Sequence, residues 1–253
     1  MLDEQTTDKL YIMKLNAMAE AFKEQMISPG FAELAFNERF GLLVDHQWTW
    51  KENQRMKRLL KNARLKINAC VEDIDYKSPR GLDKSVMMNL ISCDWIRKYQ
   101  NVIITGATGV GKTFIACALG NKACREGFKA FYTRVPRFLY EIDIAKADGS
   151  YPKLMTKLAK TQLIILDDLG LAPLTDSERR NLLEIIEDRN GSASTIVASQ
   201  LPVGKWHETI GDPTIADAIL DRIIYSSHKI NLKGDSMRKK CSPLTQDEAC
   251  INN

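Results

Sequence analysis

No stretch of this chain is apolar over a membrane-spanning length, and its opening residues, MLDEQTTDKL, lack the basic-then-apolar layout of a secretory signal. Both absences point to the cytoplasm and away from a membrane partner. Histidine is scarce, and His46, His207 and His228 are too scattered for a catalytic triad or a metal site. The six cysteines (Cys70, Cys93, Cys117, Cys124, Cys241 and Cys250) form no CxxC pair and show no metal-ligand spacing, so neither zinc nor a disulfide is expected. Cys117 and Cys124, seven apart, are expected on one buried helix face. Internal repeats, low-complexity tracts and a carboxylate cluster suited to a two-metal nuclease are also missing. The formal net charge of +4 is too small to establish a nucleic-acid partner, so the distribution of charge has to be read instead.

What is present is an ordinary globular composition, 44% apolar and 27% charged over 253 residues, enough for one large domain and a smaller one. Its most informative stretch is Gly106-Ala107-Thr108-Gly109-Val110-Gly111-Lys112-Thr113. An apolar run at 101–105 precedes it and a helical pattern follows. Strand, glycine-rich turn, Lys-Thr and helix in that order form a phosphate-binding loop. Glycines let successive backbone N–H groups turn inward on phosphates, and the helix N-terminus adds a fixed positive field. Lys112 can reach the β- and γ-phosphates of a nucleoside triphosphate, and the Thr113 hydroxyl can bind Mg²⁺. ATP and Mg²⁺ are the expected cofactors.

From residue 101 onward, strands and helices alternate. Strands are expected at 101–105, 129–133, 162–166, 195–199 and near 228–232, and helices at 112–125, 135–147, 176–190 and 214–225. This predicts an α/β fold with a five-stranded parallel sheet covered on both faces, its ligand at the carboxyl ends of the strands. Leu163–Leu166 ends in Asp167 and Asp168, placing two carboxylates opposite the loop. Asp167 would hold Mg²⁺ through water. Asp168 would orient or deprotonate the attacking water. The Trp206-His207 pair reads as packing rather than chemistry.

Residues 1–68 read as a small, all-helical, basic domain, with one helix over Lys9–Met26, a break at Ser28-Pro29-Gly30 and a longer helical pattern over Phe31–Ile67. In its last part Met56, Leu59, Leu60, Ala63 and Ile67 share one face. Lys51, Arg55, Lys57, Arg58, Lys61, Arg64 and Lys66 fill the rest of the circumference against the single acid Glu52. A merely solvated face normally mixes signs and pairs them at i,i+4. This one-sided charge favours a surface for DNA backbone. Residues 69–84 mix acids, Pro and Gly and read as a linker. Ser85–Tyr99 reads as a short helix leading into a nucleotide domain over 85–240, and 241–253 as a flexible tail.

Several motifs together resemble the IstB-type helper ATPases of insertion sequences, which belong with DnaC- and DnaA-like proteins in the AAA+ class of P-loop NTPases. They are Gly106–Thr113, the run from Leu166 to Thr175, Ser199-Gln200-Leu201-Pro202, Asp217–Arg222 and Lys233–Arg238. Phe40–Val44, Trp48-Thr49, Glu52-Asn53 and Asp73–Asp83 extend the resemblance through the N-terminal region. The resemblance implies three further roles. Gln200 matches a polar sensor position that would order the hydrolytic water. Arg222 matches an arginine finger reaching the γ-phosphate bound by a neighbouring subunit, and Arg238 matches a second sensor of its own nucleotide. Read without the resemblance, Gln200 is equally a turn residue, Arg222 a partner for Asp221 or Asp217, and Arg238 a solvated cation. Arg134 and Arg137 fall where such relatives line a DNA path, or else are simple charge at a strand-to-helix turn. One departure stands out: Asp168 occupies a position where most AAA+ proteins have Glu, which implies slow turnover.

The expected function is therefore an ATP-dependent helper of transposition. It would form homo-oligomers on duplex DNA with ATP at subunit interfaces and little sequence preference. It would recruit and stimulate a separate transposase of the same element, and hydrolysis would disassemble it. The alternatives are a DnaC-like replicative helicase loader and, less in keeping with the basic helix, a small-molecule P-loop kinase.

Overall fold

A computed structural model describes residues 2–237. The chain divides into two compact units, Met1–Arg58 and Leu59–Asn253. The first contains helices α1 (Leu2–Ile12) and α2 (Asn16–Ile27) and most of α3 (Phe36–Ala63). The single helix expected over Lys9–Met26 is interrupted because Lys14 adopts a left-handed conformation, φ 59°. Ser28 ends α2, and Pro29 opens a single 3-10 turn. The unit buries few apolar side chains, chiefly Ala17, Ala19 and Leu43. Polar contacts tie it together. Leu15 offers no side-chain cap to α2, and Gln47 Oε1 of α3 accepts from the Met18 N–H at 3.0 Å instead. The Gln25 amide likewise donates to the Arg39 carbonyl at 2.9 Å.

In the second unit, α4 (Lys84–Ile91) and α5 (Asp94–Arg97) lead into an alternation of strands and helices. These are β1 (Asn101–Gly106), α6 (Lys112–Arg125), β2 (Ala130–Arg134), α7 (Val135–Ala147), α8 (Tyr151–Ala159), β3 (Leu163–Leu169), α9 (Asp176–Arg189), β4 (Ser194–Ser199), α10 (Trp206–Ile210), α11 (Pro213–Ile224) and β5 (Ser227–Leu232). All strand pairings are parallel, in the order β2-β3-β4-β1-β5. The period-2 alternation divides β1 to β4 between two cores, whereas β5 contributes Ile230 and Leu232 to the first alone. Val102, Ile104, Leu163, Ile165, Ile196 and Ala198 pack with α6 and with residues preceding β1. Ile103, Ile164, Leu166 and Val197 pack with α7, α9, α10 and α11. Cys117 and Cys124 are buried, and burial raises both thiol pKa values. No helix among the described residues is long and apolar enough to cross a membrane.

Three further sequence expectations differ from the structure. The basic helical pattern ends at Ala63, not Ile67, because Arg64 turns left-handed at φ 51°. Leu59 and Ala63 are buried in the nucleotide unit's core, whereas Ile67 lies beyond the helix. Residues 69–84, read as a linker, instead place Ala69, Val71 and Ile74 in that same core. The helix expected over Ser85–Tyr99 is divided at Cys93, φ 60°.

Candidate nucleotide-binding and hydrolytic site

The phosphate-binding loop joins the carboxyl end of β1 to the N-terminus of α6. Gly106 has φ 148°, and a β-carbon there would collide with the Leu232 carbonyl on the adjacent β5. Gly111, φ 102°, caps α6, and a β-carbon would lie 2.7 Å from a guanidinium nitrogen of Arg80. Both positions therefore require glycine. Lys112 is almost entirely buried and lies back along the loop, its Nζ donating to the carbonyls of Gly106 at 2.7 Å and Ala107 at 2.8 Å.

Asp167 is fully buried at the carboxyl end of β3. Its Oδ2 accepts from Thr113 Oγ1 at 2.8 Å and from the Tyr132 hydroxyl at 2.7 Å, and its Oδ1 accepts from the Asp168 N–H at 3.0 Å. Burial, and then the bond to Asp167, raise the Tyr132 pKa well above that of an ordinary phenol, so it stays a donor. Thr113 and Asp167 thus form a joined pair of hard oxygen donors, which suits Mg²⁺.

Asp168 is placed by a defect in the sheet. Leu166 pairs with Val197 and Leu169 with Ser199, so β3 carries one extra residue between these pairs. Within this bulge Asp168 adopts φ 62°, a conformation unfavourable for a non-glycine residue. Its carboxylate lines a cavity of about 600 Å³ together with Thr108, Lys112, Thr113, Arg134 and Gln200. Arg134 Nε donates to Asp168 Oδ2 at 2.6 Å, and this bond raises the Arg134 pKa. Gln200, just past β4, accepts from Thr108 Oγ1 at 2.8 Å.

The other end of the cavity is built by Lys66, Ile67, Asp73, Asp75 and Arg80 from the segment before β1, and by Met237. Sequence reasoning missed this wall. An isolated arginine in a polar stretch has no periodicity, and only the match of Asp73–Asp83 to the family pattern marked the segment. Tyr132 was missed too, because a tyrosine within an apolar strand reads as core.

Apart from Lys66, the remaining expected site residues that the structure describes do not line this cavity. Arg222 sits in the last turn of α11, where its guanidinium bonds Glu187 Oε1 at 2.7 Å and the Ala218 carbonyl at 2.8 Å rather than Asp217 or Asp221. The Asn101 amide donates to the Arg222 carbonyl, placing this residue beside the amino end of β1. The full length of that strand, about 17 Å at ~3.3 Å per residue, separates it from its own loop. Arg238 lies outside the described residues. Arg137 is exposed and bonds Glu141 at 2.9 Å. Lys51, Arg55, Lys57 and Arg58 are exposed in the first unit, and Lys61, Arg64 and Lys66 in the second. Arg64, Lys66, Arg134 and Arg137 line a second cavity of about 270 Å³.

The model of the IstB-like ATP binding protein family matches residues 8–245. The chain belongs to this family. An insertion-sequence ATP-binding protein of Sinorhizobium fredii is 49% identical over 240 residues, covering 94% of this chain and 98% of the relative. The ATP-binding protein of insertion sequence IS21 from Pseudomonas aeruginosa is 30% identical over 227 residues, 85% of this chain and 86% of its own length. Among solved structures, the DnaC helicase loader aligns with TM-score 0.55 and 18% identity over 66% of this chain and 97% of its own. DnaA from Aquifex aeolicus aligns with TM-score 0.55 and 16% identity over 75% and 60%. The fold is that of AAA+ P-loop proteins, preceded by a helical N-terminal unit. ATP binding is the property that names the family.

Proposed function

We propose that this IstB-like protein is an ATPase that assembles on duplex DNA, recruits and stimulates the transposase of its insertion sequence, and disassembles on hydrolysis. The observation that carries the hydrolytic part is the convergence of Lys112, Thr113 and Asp168 on one cavity, with the buried Asp167 bonded to Thr113. Lys112 exchanges its two loop carbonyls for β- and γ-phosphate oxygens. Thr113 and Asp167 would hold Mg²⁺, which would supply charge neutralisation for the transferring phosphoryl group. Asp168 orients the attacking water and accepts its proton, helped by the Gln200 amide. Its side chain is one methylene shorter than glutamate and already engaged by Arg134, so turnover is slow. Arg222, remote from its own loop, is suited to complete a neighbouring subunit's site, which makes an oligomer the hydrolytic unit. Arg238 is assigned to its own nucleotide as second sensor. The exposed cations from Lys51 to Lys66, with Arg134 and Arg137, supply sequence-independent contacts to DNA phosphates.

The names of the relatives favour transposition over helicase loading, since likeness to DnaC at this identity concerns the fold. The test is phosphate release by the purified chain with and without duplex DNA, together with electron microscopy in ATP and in ADP. ATP-dependent oligomers on DNA and DNA-stimulated release are expected; Asp168→Asn should abolish the release and leave the oligomers in place. ATP turnover indifferent to DNA, with monomers throughout, would sink the proposal.

A further inference from the structure

Among the described residues of the nucleotide unit two arginines are buried, and they differ in how completely they are satisfied. Arg189 bonds the carbonyls of Leu158, Thr161, Gln162 and Ser194 and the Thr195 hydroxyl, so every nitrogen of its guanidinium has a partner. That is how an arginine clamps a fold. Arg80, 5% exposed, makes two side-chain bonds, Nη1 to the Val110 carbonyl at 3.3 Å and Nη2 to the Asp75 carbonyl at 2.8 Å. Its buried Nε has no hydrogen-bond partner. Burial lowers the pKa of both arginines, so what separates them is the hydrogen bond that Arg80 Nε lacks.

The position of Arg80 explains what the missing compensation is for. Its side chain lines the large cavity and abuts Val110 and Gly111, the two loop residues before Lys112. Its own carbonyl accepts from the Lys233 N–H at 2.8 Å, and four residues later the Met237 N–H bonds the Gly109 carbonyl at 2.9 Å. Segment 75–80, the loop and residues 233–237 are therefore fastened to one another, with Arg80 at the junction. We propose that Arg80 is a positioning residue for the nucleotide. It fixes the loop's backbone through Val110 and places a buried positive charge behind the phosphates, which complete its electrostatic environment when they bind. Arg80 approaches the loop from the segment before β1, whereas Asp168, Gln200 and Arg134 come from the carboxyl ends of the other strands. Its contribution is accordingly shared by ATP and ADP and is independent of the γ-phosphate.

This inference rests on the cavity being the nucleotide site and needs neither hydrolysis nor DNA. The experiment titrates ATP and ADP separately into the full chain by calorimetry, for wild type, Arg80→Met, Arg80→Lys and Lys112→Ala, and records melting temperatures without nucleotide. Arg80→Met should weaken both nucleotides by a similar factor, about tenfold, as for losing a charged hydrogen bond. Arg80→Lys keeps the charge but cannot span Val110 and Asp75 together, and should recover part of the loss. Unchanged affinity in a folded Arg80→Met protein, or loss confined to ATP, would overturn the assignment. If Arg80→Met does not fold, Arg80→Lys decides. Wild-type affinity with a lowered melting temperature would make Arg80 structural only, and weakened affinity for both nucleotides would support the proposal. Lys112→Ala separates the two levels: wild-type ATP affinity in that variant would remove the cavity as the nucleotide site and this inference with it.

Discussion

The two units are held together by different means. The nucleotide unit buries apolar side chains on both faces of a parallel sheet, with Ile103, Ile104, Ile164 and Ile165 almost wholly removed from water. The helical unit buries alanines, one leucine and polar groups such as Gln25 and Gln47. It leaves Phe36 at 77% and Trp48 at 66% exposure, with Phe36 and Phe40 stacked at the surface. A rigid sheet suits a site whose donors must be fixed to fractions of an ångström. A lightly cored helical unit with exposed aromatics and a run of cations at its end suits a surface that works by contact with something else. On the proposed function, chemistry and contact are thus divided along the chain.

That contrast can be broken most directly by stability. Ile164→Ala, in the second core, should cost roughly 2–5 kcal/mol of unfolding free energy. Leu43→Ala in the helical unit, where only a thin core can be disturbed, should cost about 1 kcal/mol. Urea unfolding followed by circular dichroism checks both, and equal losses would show that the helical unit has a core of its own after all.

Much of the nucleotide unit was legible in the sequence because its signals are local. The strands at 101–106, 130–134 and 194–199 begin or end within one residue of expectation, since continuous apolar runs bounded by turn residues have few other readings. Asp167 and Asp168 fall near the carboxyl end of β3, as expected, because a strand delivers its last side chains to a known edge. What the sequence did not reveal depends on tertiary placement. The bulge that turns Asp168 into the cavity is a register shift against β4, and nothing in Leu-Asp-Asp-Leu announces it. Residues 69–84 have a linker's composition, yet Val71 and Ile74 are buried against the core containing α6. In the helical unit, the break at Lys14 depends on one backbone dihedral, which no change of periodicity marks.

A second prediction sharpens the boundary between chemistry and contact. Arg134 was expected on the DNA side, yet the structure joins it to Asp168 at 2.6 Å. If this bond restrains the acid, Arg134→Ala should raise basal ATP turnover severalfold, up to about tenfold or ~1.4 kcal/mol of barrier. Arg137→Ala, which removes only an exposed i,i+4 partner of Glu141, should leave basal turnover unchanged. Steady-state phosphate release without DNA distinguishes them. A fall in turnover for Arg134→Ala would instead make Arg134 part of the catalytic apparatus.

The smallest effect concerns the basic residues themselves, because each exposed cation contributes little alone. Lys51, Arg55, Lys57 and Arg58 belong to the helical unit, and Lys61, Arg64 and Lys66 to the nucleotide unit. A cation that neutralises a DNA phosphate releases counterions, and the logarithm of affinity falls by about 0.9 per contact for each unit of log salt. Changing Lys51, Lys57 and Arg58 together to Gln should reduce the salt slope of duplex binding by up to about 3. It should also weaken all sequences alike and leave nucleotide affinity untouched, because no residue of this set lines the large cavity. Arg55 is left in place because Glu52 lies 3.7 Å away and already balances part of its charge. Lys66→Gln should differ in kind: it removes one phosphate contact and also a charge from the cavity wall, so it alters nucleotide affinity as well. Anisotropy titrations of duplex DNA at several salt concentrations, paired with ATP titrations, read both quantities. An unchanged slope in the triple variant would confine DNA binding to the nucleotide unit and erase the division between the two halves of the chain.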